Sequence, residues 1–504
     1  MSSAQTSTLH RHSLFGEILR SSSLYSLAFF APTVAGMLLL PVTTRGLTRA
    51  DYAITDLLTQ VSSVLTILLG MNFSAALGYF YFAAQPGEPR RLVVGTSILG
   101  SAALGAAAWI FCWPFTSVMS RLVFPGVDAG PYLHMVFFFM LPGFALEALS
   151  SWLRVENRAT MLVAVSLFRV AATIVGTVAL VGLLRMRVWG VINTTVASAV
   201  LTLLVLLFFW LRTMGWPAFD GRLFLRMLRF ALPLGLGMMA MFVLNFGDRF
   251  ILPHYRPLAD LGLYTLAYKI GMLLSAVYGS FHVYWSAQMF QIMKREDAET
   301  VFPRVFTYVI LSISFCALAL IVCARPTLRI LAAPTYQGAA PLVPLIVVAY
   351  YFRSVGEFVR GLFLVAGRPG CDAICNWMGA AICLAGYLLL IPRYGIWGAA
   401  IATALAFAAI GAVSVLWSYR VAPYRVEPRR LVKIGIAMAV AITPYCLLRA
   451  TSLPAQFGSA VLSLALFALV LWLSRFPTPV ELKAGRAALG KLFQAGRKRG
   501  GMLR

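Results

Sequence analysis

Seven ionisable side chains interrupt otherwise apolar runs of this sequence, and their types decide what chemistry the chain can do. Arg169, Lys269, Arg353 and Arg360 are basic, while Asp56, Glu147 and Glu357 are acidic. An ionised side chain near the middle of a bilayer costs about 2.5–3.5 kcal/mol, so such groups face a bundle interior or a wet cavity. Unpaired in lipid, the four bases together would cost about 10–14 kcal/mol. They must be paired, hydrated or both. Arg353, Glu357 and Arg360 fall at i, i+4 and i+7 and share one helix face. Glu357 can neutralise only one of the two guanidiniums, so the trio reads either as an internal ion pair that orients its helix or as a basic lining. Arg169 has Glu147 as a candidate partner. Lys269 lies about two turns into its run beside Tyr264 and Tyr268, where all three can line a cavity or the lysine can snorkel outward. The four bases outnumber the three acids by one positive charge. A cavity of that sign holds an anion, and the planar arginine fork matches phosphate oxygens. Asp56, Glu147 and Glu357 are candidates for ion coupling or for pairing with these bases.

The elements that position these groups follow from composition. Apolar residues make up 60% of the 504 and charged residues 12%, far from the balance of soluble domains. The apolar runs are about 20 residues long, enough to cross about 30 Å of hydrocarbon as helices. About fourteen are expected, near 23–42, 53–82, 92–118, 131–152, 160–183, 188–211, 230–252, 262–290, 305–324, 341–366, 373–391, 396–418, 433–449 and 457–474. This predicts an all-α polytopic membrane protein. The first run is too long for a cleaved signal and continues into a paired helix.

The formal charge of +25 does not imply nucleic acid. With the N-terminus in the cytoplasm, cytoplasmic segments hold 27 Lys or Arg and outer loops 11, which is the positive-inside asymmetry and places both ends in the cytoplasm. The basic tail from Arg486 to Arg504 is solvated or touches anionic head groups. The seven cysteines lie mostly in spans and form neither a zinc pattern nor a disulfide framework. Gly485 to Lys491 mimics a phosphate loop, but Leu492 replaces the magnesium-binding hydroxyl and no strand precedes it. Gly235-x-Gly237-x-x-Ala240 lies inside a membrane helix, where small residues predict close helix packing. No metal, cofactor or ATPase domain is implied, so any pumping uses an ion gradient or the substrate's own gradient.

A helical pair recurs. Leu228 to Phe290 holds an apolar helix ending at Gly247-Asp248-Arg249, then Gly262-Leu263-Tyr264 and a second helix. The earlier copy runs through Pro41-x-x-Thr44-Arg45 and Asp51-Tyr52-Ala53. Matching Arg45 to Arg249 and Ala53 to Gly262 aligns the flanking helices with a longer loop in the second copy. Six expected spans separate the copies, so they share an orientation, and the implied axis is a pseudo-two-fold along the membrane normal. The expected divisions are a cytoplasmic segment 1–22, a six-helix lobe 23–211, a cytoplasmic linker 212–229, a second six-helix lobe 230–418, two further spans within 419–474 and a basic tail 475–504.

Leu228-Arg229-Phe230-Ala-Leu-Pro233, Asp248-Arg249-Phe250-Ile251-Leu252 and Gly262-Leu263-Tyr264-Thr-Leu-Ala267-Tyr268-Lys269 resemble the repeat of the Wzx-type O-antigen and exopolysaccharide flippases. These belong to the multidrug/oligosaccharidyl-lipid/polysaccharide exporter superfamily. The resemblance covers roughly residues 20–420 and implies two six-helix lobes around a central cationic cavity, with extra C-terminal helices in some members. It implies a bacterial inner-membrane transporter that flips an undecaprenyl-pyrophosphate-linked oligosaccharide by alternating access, with no bond made or broken. Expected partners are that glycan, membrane lipids, and the polysaccharide polymerase and chain-length machinery. On this reading Arg169, Lys269, Arg353 and Arg360 line the cavity, and Arg45, Asp248 and Arg249 belong to helix-end structure or an outer gate. The alternatives are a flippase for lipid II or another lipid-linked glycan, a cation-coupled multidrug exporter, whose cavity acids the basic balance here disfavours, and a polymerase or ligase, which needs a larger outer loop.

Overall fold

Every regular element among the described residues is helical, in a computed structural model that describes residues 31–476 apart from 71–72, 84–89, 423 and 449–450. The segment 1–22, the start of the first expected span, the phosphate-loop lookalike and nearly all of the basic tail lie outside the described residues. The N-terminal half comprises α1 (Leu40–Gly46, preceded by helical residues 31–38), α2 (Arg49–Gly70), α3 (Phe73–Ala83), α4 (Arg90–Cys112), α5 (Thr116–Val123), α6 (Gly130–Val155), α7 (Ala159–Thr177, continued by a π turn Val178–Leu183) and α8 (Arg187–Met214). The second half comprises α9 (Gly221–Phe246), α10 (Asp248–Ile251), α11 (Leu258–Gly271), α12 (Leu273–Ile292), α13 (Ala298–Leu331), α14 (Val343–Val365), α15 (Pro369–Tyr394) and α16 (Ile396–Val421). Two more helices follow, α17 (Pro428–Leu447) and α18 (Leu453–Leu473). Among the described residues 12 helices are long and apolar enough to cross a membrane, or 13 when the bent α9 is one span.

The connector between the halves is shorter than the sequence suggests. Helix α8 runs to Met214, and α9 begins at Gly221 because the Asp220 carboxylate accepts the backbone N–H of Arg222 at 2.8 Å. That cap satisfies a helix-end donor with no internal partner. Pro233 lies inside α9, which bends by 40° between Gly221–Gly235 and Gly237–Phe246. Proline removes a helix hydrogen bond and crowds the preceding turn, a known cause of such kinks. A Cβ on Gly237 would meet nothing within 4 Å, so this residue makes no close approach, whereas Ala240 of the same stretch is fully buried in the core. Gly237 sits at the bend.

Close approach occurs at Gly262 instead, where a Cβ would fall 2.1 Å from the Arg49 carbonyl oxygen. Only glycine lets α11 lie against the start of α2, so the two matched helices of the duplication pack on each other. In the second half, α14 and α15 both pack on α16, and α13 carries the final pair. Glu427, just before α17, accepts a hydrogen bond from Thr307 of α13 at 2.7 Å and pairs with Arg430 at 3.2 Å. The Arg430 guanidinium also covers the Phe476 ring at 4.4 Å.

Candidate functional site

At the end that the charge asymmetry assigns to the outer side, polar contacts join the two halves. Arg249 Nε lies 2.7 Å from Asp56 Oδ2, with the guanidinium over the rings of Phe246 and Tyr268 at 4.8 Å each. The contact is ionic and lacks hydrogen-bond alignment. Thr265 donates to the same Asp56 oxygen at 3.0 Å. The Ala333 N–H donates to Thr44 Oγ1 at 3.1 Å, and Tyr336 donates to the Leu47 carbonyl at 3.1 Å. Asp248 is fully buried and stays within its own half, accepting from the Tyr264 hydroxyl and from the Arg249 N–H at 2.9 Å. The matched residue Arg45 is exposed and makes no ion pair among the described residues. Of the three residues assigned to helix ends or a gate, only Arg249 crosses between the halves.

Beneath this closure lies a chain of cavities that share residues. The first, about 330 Å³, is lined by Asp56, Lys269, Thr55 and Thr59. Thr55 and Thr59 also line a second of about 450 Å³, which reaches Arg169. Arg169 then lines a third of about 690 Å³ together with Glu147, Arg154 and Gly36. Lys269 reaches across to the first helix, its Nζ lying 3.5 Å from the place a Cβ on Gly36 would take.

Neither Arg169 nor Lys269 makes an ion pair among the described residues. Glu147, the expected partner of Arg169, pairs instead with Arg154 at 2.7 Å. Arg154 sits seven residues along the same helix, and its reach back along α6 competes with the contact across to α7. Asp56, the acid beside Lys269, is engaged by Arg249.

Arg353 and Arg360 are held differently. Arg353 pairs with Glu357 at 2.8 Å and also donates to Asn245. Arg360 is 4.0 Å from Glu357, 3.3 Å from Asp372 and 2.6 Å from the Asn376 side-chain oxygen. Asp372 supplies the second negative charge that the i, i+4, i+7 pattern lacked, and neither arginine lines the cavities described above. Tyr264 and Tyr268 are fully buried, so of the trio expected to line a cavity only Lys269 does.

Sequence reasoning missed the hydroxyls. Thr55, Thr59, Ser62 and Thr66 recur at i, i+4, i+7 and i+11 along one face of α2, and all line the 450 Å³ cavity with Thr195 of α8. That spacing was the available signal. No group of three or more His, Cys, Asp or Glu side chains among the described residues could hold a metal ion.

A profile of the family described as polysaccharide biosynthesis protein matches residues 18–285. The chain belongs to that family. None of the curated proteins matches the sequence. Among solved structures, the lipid II flippase MurJ in an inward closed conformation is similar with a TM-score of 0.72 at 15% identity, over 90% of this chain and 100% of that one. An inward-facing multidrug resistance MATE family transporter of the MOP superfamily is similar at 0.60 and 18% identity, over 79% and 94%. A MOP superfamily transporter from Pyrococcus furiosus is similar at 0.53 and 18%, over 80% and 95%. The member of the polysaccharide biosynthesis family described here thus has the MurJ and MATE type of multi-pass helical fold.

Proposed function

We propose that this protein flips an undecaprenyl-pyrophosphate-linked oligosaccharide, an O-antigen or exopolysaccharide repeat unit, from the cytoplasmic to the periplasmic leaflet of the bacterial inner membrane. The observation that carries this reading is a pair of cations, Arg169 from the first half and Lys269 from the second, neither held in an ion pair among the described residues, that line hydroxyl-bearing cavities sharing Thr55 and Thr59. A diphosphate linked to sugar cannot cross hydrocarbon unaided, because its charge and hydrogen bonds would go unmet. A wet cationic cavity replaces that hydration while the isoprenoid tail stays in the bilayer. Arg169 and Lys269 bind the diphosphate. Arg353, Arg360 and Glu357 act from behind, fixing α14 against α15 and α9. The Arg249–Asp56 ion pair belongs to an outer gate that opens as the halves rock, and the extruded unit passes to a polymerase and its chain-length machinery.

A lipid II-type glycan flippase is the second reading, favoured by the likeness to MurJ. It shares the lipid diphosphate and differs in the head group carried. Deletion of the gene in its host is expected to leave sugar-loaded lipid carrier on the inner leaflet, and labelling the lipid-linked sugars of each leaflet reads it. Normal carrier turnover with altered drug sensitivity would overturn the flippase reading in favour of an exporter.

A further inference from the structure

The two copies of the duplicated helix are not used alike. With Ala53 matched to Gly262, Asp56 falls opposite Thr265, and these two residues touch at 3.0 Å across the interface. The same register matches Thr55 to Tyr264 and Thr59 to Tyr268. Those tyrosines fill their face: both are fully buried, Tyr264 tied to Asp248 and Tyr268 packed edge-on against Tyr350 at 5.8 Å. On α2 the corresponding face is open, with Thr59 and Thr66 exposed into the cavity.

The hydroxyls on that open face share a polarity. Thr55 donates to the Tyr52 carbonyl at 2.9 Å, Thr59 to Thr55 at 2.8 Å and Thr66 to Ser62 at 2.7 Å. Across the cavity, Thr195 donates to the Val191 carbonyl at 2.9 Å. A hydroxyl has one proton and two lone pairs, so when its proton serves the helix backbone it shows the cavity an acceptor. Such a wall suits ligand O–H and N–H donors. It offers nothing to a second anion, which is left to Arg169 and Lys269.

We infer that the α2 face bearing Thr55, Thr59 and Thr66, with Thr195 opposite, is a glycan subsite that accepts hydrogen bonds from neutral sugar hydroxyls and amides next to the diphosphate. The inference rests on the flippase reading. It assigns sugar recognition to the first half of the molecule and leaves the matched face of the second half as solid core.

The test measures binding to the full-length protein in nanodiscs with two probes, undecaprenyl diphosphate and the same lipid carrying a disaccharide of glucose and N-acetylglucosamine. The wild type is expected to bind the sugar-bearing lipid more tightly. Combining Thr59→Val, Thr66→Val and Thr195→Val should weaken that probe on the order of tenfold or more, leaving the bare lipid within about twofold. The matching threonine-to-serine triple variant keeps the hydroxyls and should retain the preference. Equal wild-type affinity for both probes, a valine variant that keeps the preference, loss of both probes together, or loss in the serine variant as well would each overturn the subsite while leaving the flippase reading in place. A wild type that binds neither probe would overturn the flippase reading itself.

Discussion

The deep bases separate into those held in ion pairs among the described residues and those that are not, and that difference predicts how each variant fails. Arg169 and Lys269 face cavities and make no ion pair among the described residues. Replacing either by alanine is expected to lower export about tenfold or more at matched membrane expression, the loss of roughly 1.4 kcal/mol of binding to a charged group. Arg169→Lys should recover part of this, because it keeps charge without the planar fork. Arg360→Ala removes the ion-pair partner of Asp372 and the donor to Asn376, while Glu357 keeps Arg353 at 2.8 Å. Breaking a buried pair costs about 3–5 kcal/mol, and the half-exposed Asp372 brings the expectation nearer 2 kcal/mol. Thermal unfolding of the purified variant should therefore show the larger deficit in Arg360→Ala, and transport assays the larger deficit in Lys269→Ala. The intrahelical part of this network was legible from i, i+4 spacing. Asp372 was not, because a partner on another helix leaves no mark in local periodicity, and for the same reason the competition of Arg154 for Glu147 stayed hidden.

Among the elements, the matched helical pair could be proposed from sequence because each copy has an apolar helix end followed by a helix start, with a longer loop in the second. What it could not reveal was which copy leaves its inner face open, since threonine and tyrosine both fit an apolar helix and only packing decides between a lining and a core. The start of α9 was also hidden. Arg222, Arg226 and Arg229 made its first turns look like a polar linker, although the Asp220 cap begins the helix there. The contact of α2 with α11 gives the element-scale prediction. A Cβ at residue 262 would sit 2.1 Å from the Arg49 carbonyl, so Gly262→Ala must move one backbone away from the other. Overpacking of this kind costs about 1–3 kcal/mol. If this contact is the outer closure and parts in transport, the cost falls on the closed arrangement and the population shifts toward an outward-open one. A cysteine placed at Thr55, which lines the cavity under the closure, should then react several-fold faster with a membrane-impermeant maleimide added from outside. Unchanged labelling would mean that α2 and α11 do not form the outer closure.

On the scale of the whole molecule, composition alone predicted a multi-pass helical protein, since no soluble core could absorb 60% apolar residues in runs of this length. The closure between the halves required three dimensions. It draws on Thr44 and Leu47 from one half and Ala333 and Tyr336 from the other, nearly 300 residues away, each bond pairing a side-chain hydroxyl with a backbone group that any sequence offers. If transport needs this seam to part, a covalent bond across it should stop transport without unfolding the protein. The Thr44 Oγ1 to Ala333 N distance of 3.1 Å, with the covalent reach on each side, limits the separation of the two Cα atoms to about 7 Å. That is the upper edge of disulfide geometry, so a small approach of the chains suffices. Thr44→Cys with Ala333→Cys, in a chain whose seven native cysteines are replaced, is expected to lose nearly all export on oxidation and regain it on reduction. Each single variant should be indifferent to oxidant. Full export by the oxidised, cross-linked protein would show that the substrate leaves without opening this seam, and the rocking of the two halves would have to give way to a route through one of them.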